Sequence, residues 1–223
     1  MGAGEIGILG AGGHARSVYD CLALSVGDAI RVRFYDDRYP ELAVLEDQPV
    51  VGPLDAAFED AAPEEMFVAI GNNPLRFELS RRLESLGRRL LTIRHPRSVL
   101  SPRAKLGTGV VAIAGSIVNA GAVVGNGVIL NTLSSVGHDC TVHPYAQLAS
   151  GVNLGGGAEI GFGAFLGLGV KVLPNASVGE WTVVGAGSVV LRDLPPRTLC
   201  YGTPARVVRA LSDAELRQVD EAR

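Results

Sequence analysis

The residues best suited to catalysis are a neighbouring base and acid, His138 and Asp139, which follow Gly137. A histidine can act as a general base near neutral pH, and an adjacent carboxylate can fix its tautomer and raise its basicity. The chain from Leu106 to His138 contains no Asp, Glu, Lys or Arg, so this pair ends a long uncharged stretch. A polar turn on the outer surface is the alternative, but the isolation of the pair favours a catalytic site.

A second histidine, His143, lies five residues further along the chain. In this spacing the sequence resembles the γ-class carbonic anhydrases, in which two metal-binding histidines also lie five apart. A catalytic zinc site takes three protein ligands, whereas the remaining histidines, His14 and His95, lie far upstream. We therefore predict no metal and interpret His143 as a turn residue or a substrate contact, with a metal-dependent hydratase as the alternative.

A glycine-rich turn near the N-terminus is suited to binding a nucleotide. Gly10-x-Gly12-x-x-Ala15 follows an apolar strand, and Asp36 ends the next strand, as in the dinucleotide fingerprint. Such glycines let backbone N–H groups approach a diphosphate at the start of a helix. A tight strand-to-helix turn without a ligand is the alternative. A full nicotinamide domain needs more strands than the first 97 residues offer, which disfavours hydride transfer.

The elements that must hold these residues are indicated by a strict repeat of six. Every sixth residue from Leu100 to Val190 is aliphatic, without an insertion or slip, and a small or β-branched residue lies two positions before each. Neither the 3.6-residue period of a helix nor the two-residue period of a strand explains this. Glycine follows the aliphatic residue at Gly107, Gly125, Gly137, Gly155, Gly161, Gly167, Gly179 and Gly185.

A period of six predicts short strands joined by tight turns, with three units forming one triangular coil. The aliphatic residue and the small residue two positions before it point into the prism, because side chains alternate along a strand. We expect the glycines that follow the aliphatic residues to have positive φ. Leu100 and Val190 are 90 positions apart, which at 18 per coil gives five coils. The uncharged stretch is therefore interpreted as β-helix and not as a membrane span.

An α/β unit is predicted before the repeats. Strands are expected at Ile6–Leu9, Val32–Tyr35, Met66–Ile70 and Leu90–Ile93. One helix is expected after the glycine-rich turn, and another at Leu75–Leu86 that begins with Asn73 and Pro74. Alternating strands and helices indicate a small, Rossmann-like parallel sheet.

The chain is accordingly divided into three segments. Residues 1–97 are the Rossmann-like unit, residues 98–194 the β-helix, and residues 195–223 a C-terminal tail. Ser212 and Glu215 have the spacing of a capping box, which predicts a last short helix.

Composition argues against several classes of partner. The formal net charge is −3 and charged residues make up 19% of the chain, so nothing indicates nucleic-acid binding. The three cysteines, Cys21, Cys140 and Cys200, are odd in number and scattered, which favours a reducing cytoplasm over a disulfide scaffold. No membrane insertion is expected.

Four motifs together resemble one family, the sialic acid O-acetyltransferases and the bacillosamine- and perosamine-type N-acetyltransferases with hexapeptide repeats. The motifs are Gly12-Gly13-His14, Asp36-Asp37, Ala69-Ile70-Gly71-Asn72-Asn73 and Tyr201-Gly202-Thr203-Pro204-Ala205. The resemblance implies a left-handed β-helix and a homotrimer with active sites between subunits. It also implies transfer of acetyl from acetyl-CoA, commonly to the amine of a nucleotide-linked 4-amino-4,6-dideoxy sugar in surface-glycan biosynthesis.

The resemblance also implies roles for individual residues. His138 would be the base and Asp139 its orienting acid. The nucleotide would meet Gly12, Gly13, His14, Asp36, Asp37 and Gly71. The CoA groove would be lined by Gly156, Leu168 and Ala186, with Gln147 near the thioester. Relatives usually have a second histidine at the position of Gln147, and an amide can donate a hydrogen bond but cannot shuttle a proton.

Three further possibilities remain open from the sequence. They are O-acetylation of a sialic-acid-like sugar by the same base, the metal-dependent hydratase, and a trimeric scaffold without activity. The residues do not distinguish UDP, GDP and dTDP, nor N- from O-acylation, nor the acyl chain of the donor.

Overall fold

A computed structural model describes residues 5–27, 30–59, 63–212 and 214–215. The first part of the chain forms an α/β unit. Its elements are β1 (Ile6–Leu9), α1 (Gly13–Val26), β2 (Val32–Tyr35), β3 (Val44–Leu45), β4 (Gln48–Gly52), a 3-10 helix (Leu54–Phe58), β5 (Glu65–Val68), α2 (Asn73–Ser85) and β6 (Arg89–Leu90).

The sheet of this unit has the order β3-β4-β2-β1-β5-β6. All neighbouring strands are parallel except β3, which pairs antiparallel with β4, so the predicted parallel sheet is mixed at one edge. The β3–β4 hairpin was not predicted, because its first strand has only two residues. Helix α2 begins at Asn73, as predicted: the Asn72 side chain accepts a hydrogen bond from the Leu75 N–H at 2.8 Å, which caps the helix.

The rest of the chain forms a β-helix of two-residue strands. They are β7 Ile93–Arg94, β8 Val99–Leu100, β9 Lys105–Leu106, β10 Val111–Ala112, β11 Ile117–Val118, β12 Val123–Val124, β13 Ile129–Leu130, β14 Ser135–Val136, β15 Thr141–Val142, β16 Gln147–Leu148, β17 Asn153–Leu154, β18 Glu159–Ile160, β19 Phe165–Leu166, β20 Lys171–Val172, β21 Ser177–Val178, β22 Val183–Val184 and β23 Val189–Val190. Two longer strands, β24 (Thr198–Gly202) and β25 (Ala205–Ala210), form a terminal hairpin.

Every third strand belongs to the same sheet, which gives the β-helix three faces. Face I contains β7, β10, β13, β16, β19, β22, β24 and β25; face II contains β8, β11, β14, β17, β20 and β23; face III contains β9, β12, β15, β18 and β21. Paired residues such as Val111 and Ile129 are 18 apart, as predicted. We call residues that stack in this way, one per coil, a column.

The prediction of one continuous strand at Leu90–Ile93 was wrong. The chain leaves the first sheet after β6, which pairs with β5, and enters face I at β7, which pairs with β10. Two short strands in different sheets replace one longer strand, because the apolar residues Leu90 and Ile93 serve different cores.

The interior of the prism follows the prediction. From Ala112 onward every aliphatic position of the repeat is buried, whereas Leu100 and Leu106 in the first coil are half-buried. The small residues two positions earlier, such as Ala146 and Ala164, are buried too. The uncharged stretch is thus β-helix, and among the described residues no helix is both long and apolar enough to span a membrane.

The predicted role of the repeat glycines was wrong. Glycines that follow the aliphatic residues do not have positive φ, and the left-handed positions lie two residues later, for example at Gly109 and Gly127. A Cβ at Gly125 would lie 2.6 Å from the backbone nitrogen of Pro144, and one at Gly161 would lie 2.4 Å from that of Glu180. Glycine is needed there because the next coil passes too close for a side chain.

The predicted C-terminal helix lies largely outside the described residues. The capping contacts themselves are present: the Ser212 N–H donates to Glu215 Oε2 at 3.0 Å, and the Glu215 N–H donates to Ser212 Oγ at 3.3 Å. This reciprocal pair is the expected capping box.

Helix α2 fastens the α/β unit to the β-helix. Arg76 is 1% exposed, and its guanidinium donates to the carbonyl oxygens of Gly127 at 2.9 Å and Tyr145 at 2.7 Å. One turn earlier, Asn73 Nδ2 donates to the carbonyl oxygen of Gly163 at 3.0 Å. The three acceptors form one column, so two polar side chains of α2 bind three successive coils.

Aromatic rings extend this contact. The ring of Phe77 in α2 lies 5.0 Å from that of Tyr145 and 5.2 Å from that of Phe162, and Phe162 lies 5.2 Å from Trp181. The rings meet edge to face, the arrangement that their quadrupoles favour. The apolar cluster therefore shields the Arg76 hydrogen bonds from water.

We expect Arg76→Met to lower the free energy of unfolding by about 3 kcal/mol or more, because it leaves several buried carbonyl groups without donors. Arg82→Met is the matched control in the same helix: Arg82 is exposed and pairs with Asp55, and its loss should cost about 0.5 kcal/mol or less. Urea denaturation measures both, and equal effects would contradict the assigned role of Arg76.

Gly161→Ala tests the close approach of coils. We expect a loss of about 3 kcal/mol in the free energy of unfolding, because the new Cβ overlaps backbone that cannot move aside. Gly169→Ala is the comparison: it has φ of +68° but open space around its Cβ, so only the cost of left-handed alanine, about 1 kcal/mol, should appear. A larger loss for Gly169→Ala would refute this explanation.

Candidate active site

His138 and Asp139 form a dyad at the corner between faces II and III. His138 Nδ1 lies 2.9 Å from Asp139 Oδ2, and both side chains are largely exposed. Asp139 has φ of 58°, a left-handed conformation that aspartate tolerates better than most residues. With Nδ1–H donating to the carboxylate, Nε2 is left with a lone pair. This tautomer follows from the hydrogen-bond partner.

Gly156 lies directly against the histidine ring, one coil further along the same column. A Cβ at this position would be 2.4 Å from His138 Nε2 and 2.5 Å from its Cε1. Unlike the left-handed glycines, Gly156 does not have positive φ. Glycine at this position therefore makes room for the imidazole, in addition to the role in the CoA groove predicted from the resemblance.

Gln147 lies on a different side of the prism from His138. It belongs to β16 on face I, in register with Ile129 and Phe165, and its side chain points outward because Leu148 points into the prism. Its Oε1 is buried and has no hydrogen-bond partner among the described residues. Within one chain, His138 and Gln147 therefore do not face a common acetyl group.

Leu168 and Ala186 occupy a third location. They are 18 residues apart in one column at the corner between faces I and II, and both are exposed. The structure thus brings Gly156 to His138 but separates both of these residues from the dyad.

The predicted nucleotide-binding residues come together at the carboxyl ends of three neighbouring strands. The Ala11 N–H donates to Asp36 Oδ2 at 2.7 Å, which joins the turn after β1 to the end of β2. Gly71 follows the end of β5, the other neighbour of β1. No atom lies within 4 Å of a Cβ built at Gly12 or Gly13, so the start of α1 faces open space. Ligands of α/β sheets bind in such crevices.

The two acidic residues of this crevice have structural partners. The Arg38 guanidinium holds the pKa of the Asp36 carboxyl below its usual range through hydrogen bonds at 2.7 and 3.0 Å. Asp37 Oδ1 accepts a hydrogen bond from the Leu54 N–H at 3.0 Å. Both carboxylates therefore order the loop after β2.

His14 in the first turn of α1 is neutral at physiological pH. Burial, reinforced by the nearby Arg76 guanidinium, lowers its pKa to about 4. Its Nε2 is buried and has no hydrogen-bond partner among the described residues. A neutral imidazole can donate or accept one hydrogen bond, but it does not supply positive charge to a phosphate.

Solved structures similar to this one include acetyltransferases. Residues 5–83 match the family described as the PglD N-terminal domain. The acetyltransferase domain of PglB from Neisseria gonorrhoeae, solved with acetyl coenzyme A, is 31% identical, with a TM-score of 0.87 over 93% of this chain and 100% of that one. PerB from Caulobacter crescentus, solved with CoA and GDP-perosamine, is 37% identical, with a TM-score of 0.84 over 92% of this chain and 98% of that one.

The chain belongs to this family of hexapeptide-repeat acyltransferases. Membership confirms the predicted acyltransferase class and the left-handed β-helix. Similarity to curated relatives is more local: the protein SACOL2570 of Staphylococcus aureus is 50% identical over 44 residues, which are 20% of this chain and 22% of that protein.

His143, the other histidine of the β-helix, has a carboxylate partner. His143 Nε2 lies 2.7 Å from Glu159 Oε1, a residue of the next coil on face III. In the ranges 5–27, 30–59, 63–212 and 214–215, no three His, Cys, Asp or Glu side chains come close enough to hold a metal ion. The hydratase alternative therefore has no ligand set in the described residues.

Sequence reasoning did not single out Arg38 or Arg76 in this acyltransferase. Arg38 directly follows the Asp36-Asp37 pair, and its position two residues from an aspartate was the available signal. Arg76 had no such signal, because its carbonyl partners on the β-helix lie 51 and 69 residues away.

Gly156→Ala should reduce acetyl transfer at least tenfold with little change in overall fold, because the new methyl group displaces the His138 ring that it would touch. Steady-state kinetics measures the loss, and circular dichroism checks the fold. Gly87→Ala is the control in the turn after α2, away from the dyad, where a Cβ also meets nothing within 4 Å. Wild-type turnover by Gly156→Ala would show that the ring position does not matter.

Proposed function

We propose that this protein transfers acetyl from acetyl-CoA to the amino group of a nucleotide-linked 4-amino-4,6-dideoxy sugar, with His138 as general base. The observation that carries the proposal is the His138–Asp139 dyad, held against Gly156 with Nδ1 committed to the carboxylate. Perosamine N-acetyltransferase from Caulobacter crescentus, with bound CoA and GDP-perosamine, supports the class of acceptor.

The reaction follows from the tautomer of the dyad. The sugar amine attacks the thioester carbon, and His138 Nε2 accepts the amine proton as the C–N bond forms. Asp139 stabilises the resulting imidazolium. When the C–S bond breaks, His138 returns the proton to the departing thiolate, so the products are the amide and the free thiol. Cys140 takes no part, because its side chain is buried inside the prism.

The negative charge that develops on the thioester oxygen needs hydrogen-bond donors close to His138. We propose that a backbone N–H beside His138, or the Gln147 amide, stabilises this charge. Since Gln147 lies on face I, it reaches the dyad only from an adjacent copy. This supports an active site between two β-helices. We propose that the assembly is the homotrimer implied by the family resemblance and that its CoA groove runs past Gly156, Leu168 and Ala186.

The crevice at the carboxyl ends of β1, β2 and β5 is the proposed nucleotide-sugar site. The open N–H groups at the start of α1 suit a diphosphate, and Gly12, Gly13, His14, Asp36, Asp37 and Gly71 surround this position. Residues 1–97 would then bind the acceptor and residues 98–194 the acyl donor, with residues 195–223 as the tail. We place the reaction in the cytoplasm, which the three free, buried cysteines support.

His138→Ala should lower kcat about 100- to 10,000-fold, the usual contribution of a general base. Asp139→Asn should lower it less, because the imidazole remains but loses its ionic partner. Release of CoA is measured with a panel of UDP-, GDP- and dTDP-linked 4-amino-6-deoxy sugars. Asp193→Asn is the control: this exposed turn carboxylate accepts a hydrogen bond from the Ser177 N–H and should leave kcat unchanged.

Other outcomes would select a different function. Turnover only with hydroxyl acceptors, still lost in His138→Ala, would indicate an O-acetyltransferase. Equal turnover by His138→Ala and wild type would remove His138 as the base. Absence of turnover with every acceptor and no binding of acetyl-CoA would leave a trimeric scaffold.

A further inference from the structure

The carboxylate at the end of β2 is already saturated with hydrogen bonds. Asp36 Oδ1 accepts from the Arg38 N–H at 3.1 Å and from Arg38 Nε at 2.7 Å. Its Oδ2 accepts from the Ala11 N–H at 2.7 Å and from Arg38 Nη2 at 3.0 Å. A carboxylate has about four acceptor sites. Asp36 therefore has none left for a ribose hydroxyl, the partner that the dinucleotide fingerprint gives to an acid at this position.

The group that this strand end offers to a ligand is the Arg38 guanidinium. The Asp36 carboxylate lies between the Ala11 N–H and the guanidinium, which places the cation beside the glycine-rich turn. The Arg38 side chain is 59% exposed, and within the described part of the chain Asp36 is its only ion-pair partner. A bidentate contact to a carboxylate holds a guanidinium in one orientation.

The pairing geometry determines which donors remain. Asp36 takes the edge formed by Nε and Nη2, so the opposite edge keeps one N–H on each of Nη1 and Nη2, parallel to each other. Two parallel donors match two adjacent acceptors. Guanine presents such a pair, O6 and N7, and arginine is its commonest bidentate partner. The corresponding edge of uracil or thymine has a single acceptor, O4.

The position along the crevice favours the base over the diphosphate. The open N–H groups and the dipole of α1 at Gly12 and Gly13 suit the diphosphate, and in βαβ nucleotide sites the end of the second strand meets the nucleoside. We infer that Arg38, oriented by Asp36, reads the O6/N7 edge of guanine, so that the acceptor is a guanosine-diphosphate sugar. This inference rests on the nucleotide-sugar site proposed above and names its base.

Binding of free nucleotides tests the inference without acetyl transfer. Titration calorimetry with GDP, UDP and dTDP should give tightest binding to GDP, by about tenfold or more. Arg38→Lys keeps the positive charge but loses the two parallel N–H donors. It should lower the affinity for GDP about tenfold and change the affinities for UDP and dTDP less than twofold. 7-Deaza-GDP, which lacks the N7 acceptor, should bind wild type more weakly than GDP does and bind Arg38→Lys as GDP does.

Arg33→Lys is the matched control. Arg33 also pairs with a carboxylate, Glu5 at 2.8 Å, but this pair involves the residue before β1, at the opposite end of the strand from the crevice. Its substitution should leave all three affinities unchanged. Asp36→Asn should reproduce the Arg38→Lys selectivity, because the amide nitrogen cannot accept from the guanidinium.

Three results would overturn the inference: tighter binding of UDP or dTDP than of GDP, equal weakening of all three in Arg38→Lys, and no measurable binding of any. Equal weakening would assign Arg38 to the shared diphosphate. The proposed function fails separately: an Arg38-dependent preference for GDP without acetyl transfer to any sugar would retain the base contact and reject the reaction. Equal transfer to a UDP sugar by wild type and Arg38→Lys would retain the proposed reaction and reject the contact between Arg38 and guanine.

Discussion

In-register stacking of coils 18 residues apart is the constraint on which the other features depend. The strands have only two residues each, so their N–H and C=O groups are satisfied by the neighbouring coil, as in the bond from the Gly155 N–H to the Val172 carbonyl at 2.8 Å. Stacking also determines which side chains can meet. It places His138 over Gly156, a residue without a Cβ, so the imidazole ring has room to lie against the next coil.

A second column joins the two units of the protein. Arg76 and Asn73 bind carbonyl oxygens of Gly127, Tyr145 and Gly163, which repeat at the coil spacing. A buried guanidinium is costly unless its donors are satisfied, so this contact tolerates little displacement of α2. The carbonyl of Ile70, beside the crevice at the carboxyl ends of β1, β2 and β5, accepts from the same guanidinium at 3.0 Å. This crevice and the β-helix are therefore held at a fixed separation, which the proposed transfer between two bound substrates requires.

The fold could be predicted in large part from the sequence, and the site only in part. The period of six specified the prism, its inward residues and the coil length, because one residue in six must be aliphatic for a coil to close around a core. The same pattern led to a wrong prediction for the glycines that follow the aliphatic residues, which do not have positive φ. Their role depends on how closely the next coil passes, which is a distance between residues about 19 apart, such as Gly125 and Pro144. The division into β6 and β7 could not be predicted, because Leu90 and Ile93 are both apolar although they pack into different cores.

By itself the spacing along the sequence determined the β-helix and the adjacency of His138 and Asp139, because both depend on local pattern. The left-handed sense and the acyltransferase class were implied by the resemblance of four motifs to one family. Only the tertiary structure decided which lone pairs remain free. The sequence predicts that Asp36 contacts a ligand, but in the fold the acceptor sites of its carboxylate are filled by donors of Arg38 and Ala11. Gln147 reads as a neighbour of His138, yet it lies on another face. An acceptor is occupied by donors that come near it only when the chain folds, and the spacing of residues along the sequence does not predict which donors these are.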